Sequence, residues 1–296
     1  METASKATYK LLKRAKDDKF EVDRLHLYCI TIQIGIKDLQ ILVVDTETSS
    51  CVLIENFALN NVTTISERLQ LLADLFESHS LLKAGFWKVV KISLKTHKFS
   101  LIPSALFEEE SMGAYLRLNC QVNDKIEGEY YYQHKGSNVV NAYAFDGRLV
   151  KWVKGIYPNK KVVVFHQGSA LIEGVLRYAS KISGKAVFGI QDRGVLHVFV
   201  AESGKLLYYN QFAIKTAQEF VKYTLMVFKE FGLNPKSQLV VLWGTLTNQS
   251  EQYINLKKYI ANVQFGDRPS YLRLSYHFDD IPDHQYFDLF STYLCD

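Results

Sequence analysis

The densest group of potential metal ligands is His277-Phe278-Asp279-Asp280-Ile281-Pro282-Asp283-His284, with two histidines and three aspartates in eight residues. Imidazole nitrogens and carboxylate oxygens are donors that divalent ions accept, so His277, Asp279 and His284 are the candidate ligands. Neither a helical i, i+4 pair nor a strand alternation aligns them, and Pro282 interrupts any regular element. The competing reading is a polar turn whose side chains cap nearby backbone groups.

Phosphate chemistry would need small-residue turns whose amides face the ligand, and an acid to position its cation. Two short turns separate apolar runs, Gly35-Ile36-Lys37-Asp38 after Ile32-Gln33-Ile34 and Asp192-Arg193-Gly194 after Gly189, but the first carries bulky side chains and the second is a plain hairpin without a run of small residues. Gly244-Thr245 closes a third apolar run, Leu239–Trp243. Ser183-Gly184-Lys185 and Ser203-Gly204-Lys205 lack the G-x-x-x-x-G-K spacing and read as plain turns. His166-Gln167-Gly168-Ser169 joins a buried strand to a helix start, where an anion could sit, although Ser169 as a cap explains it more simply. Glu108-Glu109-Glu110 reads as a solvated acidic helix start. No Ser/His/Asp or Cys/His nucleophile set can be built from spacing.

The elements that carry these turns repeat. Residues 30–59 and 186–214 each read as three apolar runs separated by two polar turns, and each leads to a helix. Both helices open with a capping box, Thr64-Ile65-Ser66-Glu67 and Thr216-Ala217-Gln218-Glu219. Phe57 and Phe212 are equivalent and lie 155 residues apart (212 − 57), too long a period for a solenoid. A duplicated half-domain is the consequence. The expected boundaries are a polar lead-in at 1–24 with a short helix near Tyr9–Ala15, a first half at 25–183, and a second half with a C-terminal tail at 184–296. An insertion near 104–138 interrupts the first half, with strand–turn–strand expected over Arg117–Gln133. Val139–Phe145, a helix capped by Asp146, and Val162–Phe165 alternate as strand, helix, strand, which implies parallel neighbours with crossover helices. Tyr271–Ser275 is expected as a short strand.

The bulk composition excludes several classes. With 48% apolar and 22% charged residues, the 296-residue chain is an ordinary globular sequence. A net charge of +4 without a basic cluster gives no argument for nucleic acid. Cys29, Cys51, Cys120 and Cys295 form no C-x-x-C pair, so reduced thiols are expected. No apolar run approaches the roughly 20 residues of a membrane span, and the start of the chain is charged, without a signal-peptide core. A cytoplasmic protein is expected.

The order of elements resembles the actin-like ATPase superfamily (ASKHA, ribonuclease H-like). Ile32-Gln33-Ile34-Gly35 resembles its first phosphate loop, and Leu239–Thr245 resembles the strand leading to its adenosine loop. The chain is similar to type IV pilus assembly actin-like proteins and, more so, to a bacterial family of unknown function with this fold. Phe99–Phe107 and Pro282–Asp288 resemble recurring motifs of the latter. The resemblance implies a duplicated α/β fold with two mixed sheets, each of three antiparallel strands plus parallel strands and crossover helices.

It also implies an acid in each phosphate loop, and here the sequence departs. Gln33 and Gly189 stand at those positions, and Trp243 replaces the first glycine of the adenosine loop. Should nucleotide bind, Gln33, Gly35, Asp38, Gly189, Asp192 and Gly244 are the degenerate positions that would meet it. The expectation is a pseudo-ATPase without cofactor, catalytic residue or metal, which docks a protein or peptide in an interlobe cleft. The alternative is a divergent ATPase or kinase using ATP and Mg²⁺, with Asp38 and Asp192 as relocated acids. A metal enzyme built on His277–His284 is a third.

Overall fold

Thr8–Lys16, expected as a charged lead-in with a short helix, is the first strand, β1. It pairs antiparallel with a later strand, and a bulge between Leu11 and Lys13 interrupts its register. That bulge hides the two-residue period from the sequence, and pairing outweighs the local helical pattern of Leu11, Leu12 and Ala15. The computed structural model describes residues 7–296, so the first six residues of the expected lead-in lie outside the described residues. The chain divides into two compact units. One runs to Ala170 and adds Tyr271–Asp280 and Cys295–Asp296, and the other comprises Leu171–Ser270 and Ile281–Leu294.

The first unit continues with β2 (Tyr28–Ile34), β3 (Asp38–Asp45) and β4 (Ser50–Asn60). Every position of β2 and β3 is buried, as expected for central strands covered on both faces. Helices α1 (Ile65–Ser78) and α2 (Ser80–Lys83) follow, then β5 (Val89–Leu94) and β6 (Phe99–Pro103). Thr64 and Glu67 form the expected capping box at the start of α1. The remaining elements are α3 (Met112–Arg117), β7 (Glu127–Gln133), β8 (Val139–Asp146), α4 (Gly147–Ile156) and β9 (Val162–His166). Helix α5 (Gln167–Ala179) starts in this unit and continues in the second.

Its main sheet has the order β1-β4-β3-β2-β5-β9. Strands β2, β3 and β4 are antiparallel, whereas β5 and β9 run parallel to β2. A second sheet, β6-β8-β7, is wholly antiparallel. Val139–Phe145 therefore does not join the parallel array, contrary to the alternation read from the sequence. It lies between two short antiparallel strands, although Asp146 caps α4 as expected by accepting from the Arg148 N–H at 2.9 Å. Arg117–Gln133 holds one strand rather than two. The segment before it stays at the end of α3, with the Cys120 N–H bonded to the Leu116 carbonyl at 2.9 Å. Tyr271–Ser275 contributes one isolated bridge, Ser50 to Arg273, instead of a strand.

The second unit contains β10 (Lys185–Asp192), β11 (Val195–Glu202), β12 (Lys205–Ala213), α6 (Ala217–Glu230), β13 (Leu239–Gly244), α7 (Glu251–Lys257), β14 (Val263–Phe265) and α8 (Phe287–Ser291). Its sheet order, β12-β11-β10-β13-β14, repeats β4-β3-β2-β5-β9 with the same strand directions. Helix α6 repeats α1, including its capping box. Phe220, Val221, Val227 and Phe228 of α6 share a core with Val187, Val198, Val240 and Leu242 of the sheet. Full burial of a side chain such as Phe220 contributes roughly 2 kcal/mol. No helix among the described residues is long and apolar enough to cross a membrane.

Strand β1 is held by more than its ladder. Arg14 Nε donates to Glu55 Oε1 at 2.6 Å, and His79, between α1 and α2, meets Glu55 Oε2 at 2.6 Å. Burial pushes the Glu55 carboxyl up, but the His79 and Arg14 contacts more than offset it, leaving it below the usual glutamate range. Replacing Glu55→Gln should cost about 2 kcal/mol in urea unfolding, the range for hydrogen bonds to charged groups. It should also speed amide exchange in Tyr9–Ala15 more than in β2 or β3. Uniform exchange across the sheet would contradict this anchoring role.

Candidate functional site

The turn between β2 and β3 is closed by its own side chains. Strand register sets Gln33 opposite Gln40 of β3 and Ser93 of β5. Its amide is buried, and its Nε2 donates to Gln40 Oε1 at 2.8 Å while Ser93 Oγ donates to Gln33 Oε1 at 2.8 Å. Lys95, just after β5, donates to Asp38 Oδ2 at 2.6 Å and reaches Gln40 Oε1 at 3.4 Å. The Asp38 side chain is 3% exposed and that of Lys95 12%. Ser93, Gln33, Gln40, Lys95 and Asp38 thus form one continuous polar chain.

Gly35 is what lets Asp38 turn inward. A Cβ built there would fall 2.1 Å from Asp38 Oδ1, so the carboxylate lies directly against the Gly35 backbone. The Gly35 N–H donates to the Asp38 carbonyl at 2.9 Å, which fixes the turn. Sequence reasoning found Gln33, Gly35 and Asp38 but missed Gln40, Ser93 and Lys95. The signal existed in part: Gln40 is a polar residue within an apolar run, Leu39–Val44, where burial demands a partner.

In the second unit the corresponding positions do other work. Gly189 sits inside β10 opposite Leu242 of β13, and a Cβ there would fall 2.8 Å from Leu242 Cδ2. Its role is close packing between strands. Asp192 ends β10, and Arg193 and Gly194, with φ of 43° and 82°, make the two-residue hairpin turn to β11. Gly244 has φ of 108°, and a Cβ on it would fall 2.1 Å from the Gln191 carbonyl oxygen. Trp243 is fully buried, with its ring 4.1 Å from that of Phe287 in a stack and its Nε1 donating to the Asp267 carbonyl at 3.3 Å. The indole is therefore part of the core.

The His/Asp-rich tail does not assemble a ligand set. His277 pairs with Asp18 at 3.0 Å and with Ser275 Oγ at 3.2 Å, and Asp279 follows it in the first unit. His284 belongs to the second unit, where its Nε2 donates to the Leu246 carbonyl at 2.7 Å and its own carbonyl accepts from the Gly244 N–H at 2.8 Å. Asp283 pairs with Arg268 at 2.6 Å. Among the described residues, no three His, Cys, Asp or Glu side chains come together to hold a metal ion.

The sequence model of the family described as "Protein of unknown function (DUF3822)" matches residues 17–263. The chain belongs to this family. A Bacteroides thetaiotaomicron protein described as having an actin-like ATPase fold and unknown function is 19% identical, with a TM-score of 0.79 over 94% of this chain and 99% of that one. A chain of the PilM–PilN type IV pilus biogenesis complex is 12% identical, with a TM-score of 0.59 over 90% of this chain and 98% of that one. None of the curated proteins matches the sequence. The DUF3822 chain thus has the actin-like ATPase fold.

One further cluster of this DUF3822 chain involves a residue singled out above. His166, at the end of β9, is enclosed between the rings of Phe99 and Tyr143, at 5.2 and 5.7 Å. Its Nε2 donates to the Thr96 carbonyl at 2.8 Å, and its Nδ1 accepts from the Gly168 N–H and Asn141 Nδ2, each at 3.1 Å. Asn141 Nδ2 also donates to Ser169 Oγ at 2.9 Å. Burial, partly offset by the Thr96 bond, lowers the His166 pKa to about 4, so the ring is neutral at pH 7. A lowered folded pKa gives stability that is complete above the unfolded value of 6.5 and is lost as pH falls towards 4. Urea unfolding should therefore lose about 3 kcal/mol over that interval. His166→Gln should be less stable at pH 7 yet lose most of this slope, and an unchanged slope would contradict a buried neutral histidine.

Proposed function

We infer that this chain is a non-catalytic actin-like protein that acts by binding another protein. The observation that carries this reading is the Asp38–Lys95 ion pair against Gly35. A carboxylate occupies the backbone surface that a phosphate would need, and its charge opposes a second anion at short range. Gln33, beside it, is neutral and bonded on both its amide atoms, so it offers a hard divalent cation nothing of the charge such ions require. In the second unit Gly189 supplies no acid at the equivalent strand position, and Asp192 adjoins a tight Arg193-Gly194 hairpin without a run of small residues.

The PilM–PilN complex supports the protein-binding half of the reading, because it presents a chain of similar fold together with a protein partner. Activity resides in sites rather than in folds, so this support is by analogy. A turnover assay with ATP and Mg²⁺ tests the proposal. No turnover above a protein-free control is expected, and Asp38→Asn with Asp192→Asn should leave that result unchanged. Turnover that the double substitution abolishes would establish the relocated acids instead, and the chain would be a divergent ATPase or kinase.

A further inference from the structure

Charge is spread unevenly over the first unit. No acidic residue occurs between Glu77 and Glu108, nor between Asp146 and Glu173. The first of these stretches contains α2 and β5, the second α4 and β9, and β5 and β9 are parallel neighbours. The fold therefore joins two basic segments that are far apart in sequence, which a net charge of +4 for the whole chain conceals.

They meet at the leading end of the two strands. Val90 pairs with Val162, and the Val90 N–H donates to the Lys161 carbonyl at 3.4 Å. Tyr157, just after α4, donates from its hydroxyl to the Leu82 carbonyl of α2 at 2.6 Å. Lys88 thus precedes β5 where Lys160 and Lys161 precede β9. Lys151 and Lys154 are exposed on α4, whose Leu149, Val150 and Val153 are buried. The acids around this end are already engaged. Glu77 pairs with Lys83, Asp74 accepts from Gln70 at 2.8 Å, and Asp146 pairs with Arg148 at 3.0 Å. Asp45 and Glu47 face Arg24 at 3.7 and 3.6 Å. Among the described residues, Lys151, Lys154, Lys160 and Lys161 have no acidic partner.

Phe86, in the loop from α2 to β5 between Lys83 and Lys88, is 74% exposed. The adjoining Trp87 is fully buried, with its Nε1 donating to the Leu81 carbonyl at 3.2 Å. The anchored indole fixes the loop and leaves the phenyl ring standing out from the surface.

We propose that this end of the first unit docks on an anionic lipid bilayer, with Phe86 entering below the headgroups and Lys151, Lys154, Lys160 and Lys161 meeting their charge. Surface binding to a bilayer draws on both apolar area that inserts and cations that gain from the anionic surface potential. Two features select a bilayer over another polyanion. The unpaired groups are all lysines, point charges suited to a diffuse anionic surface, whereas recognition of single phosphates favours the arginine fork. An acidic protein or a nucleic-acid duplex would attract the lysines equally but offers no apolar layer to one projecting ring. The Gly35 turn follows β2 at the opposite end of the sheet, so the inference stands whether or not ATP binds.

Co-sedimentation of the full chain with vesicles tests it, using phosphatidylcholine alone and three parts phosphatidylcholine to one part phosphatidylglycerol. The wild-type protein should sediment only with the anionic vesicles. Lys154→Gln, Lys160→Gln and Lys161→Gln together should weaken binding roughly a hundredfold, about fivefold for each charge. Phe86→Ser should weaken it about tenfold, whereas Phe86→Leu should bind as the wild type does, because a bilayer takes apolar area rather than a ring. Lys215→Gln, Lys222→Gln and Lys229→Gln, on and beside α6, change the net charge equally and should leave binding intact. Every substituted side chain reaches solvent, so melting temperatures should stay unchanged. No binding to the anionic vesicles, or an equal loss in the α6 variant, would overturn the proposal. So would unchanged binding of Phe86→Ser, which would mean a polyanion held by charge alone, or a loss in Phe86→Leu, which would mean stacking on a base.

Discussion

An ammonium and a carboxylate 2.6 Å apart, both nearly shut off from solvent, close the turn at Gly35. Such a pair is expensive to desolvate and persists only where further hydrogen bonds satisfy its remaining atoms. Here Lys95 also reaches Gln40, and Gln40 is bonded to Gln33, which is bonded to Ser93. The pair and the neutral amide chain are one arrangement spanning β2, β3 and β5. Gly35 makes it possible by leaving room for the Asp38 carboxylate, and the same carboxylate fills the space that glycine creates.

The second unit has the same strand order and reaches closure by different means. Aromatic stacking holds Trp243 against Phe287, and a histidine from the tail braces the turn after β13. Between β10 and β13, glycine at 189 makes room for the Leu242 side chain and glycine at 244 for the Gln191 backbone. One topology thus ends in a polar, ion-paired turn in one copy and a tight hairpin with an apolar floor in the other. The two outer edges diverge too, one covered by a basic strand and the other uncharged from Leu206 to Ala213.

Much of this fold was legible in local sequence. The apolar runs with their short turns located β2–β4 and β10–β12, and Thr-x-x-Glu marked the starts of α1 and α6, because both signals depend on neighbouring residues alone. What failed depended on distant partners. Strand β1 exists because β4 is there to pair with it, and β8 joins β6 and β7 although its own sequence suits a parallel array equally well. The site behaved likewise. Gln33 and Asp38 stood out by type, but their partners Ser93 and Lys95 are 60 and 57 residues away, and only the register of a parallel pair brings them together. The tail histidines drew attention by density in sequence, yet each is occupied by a different partner elsewhere in the chain.

The proposal of a non-catalytic chain requires that the turns at Gly35 and Gly194 be closed to nucleotide. The most direct measurement is an NMR titration of the ¹⁵N-labelled protein with Mg²⁺–ATP at millimolar concentration, following the amides of Gly35, Asp38, Gly194 and Gly244. These resonances should stay in place up to the highest nucleotide concentration. Saturable shifts at Gly35 and Gly194 together would contradict the proposal, since they would show that Asp38 yields its position to a phosphate.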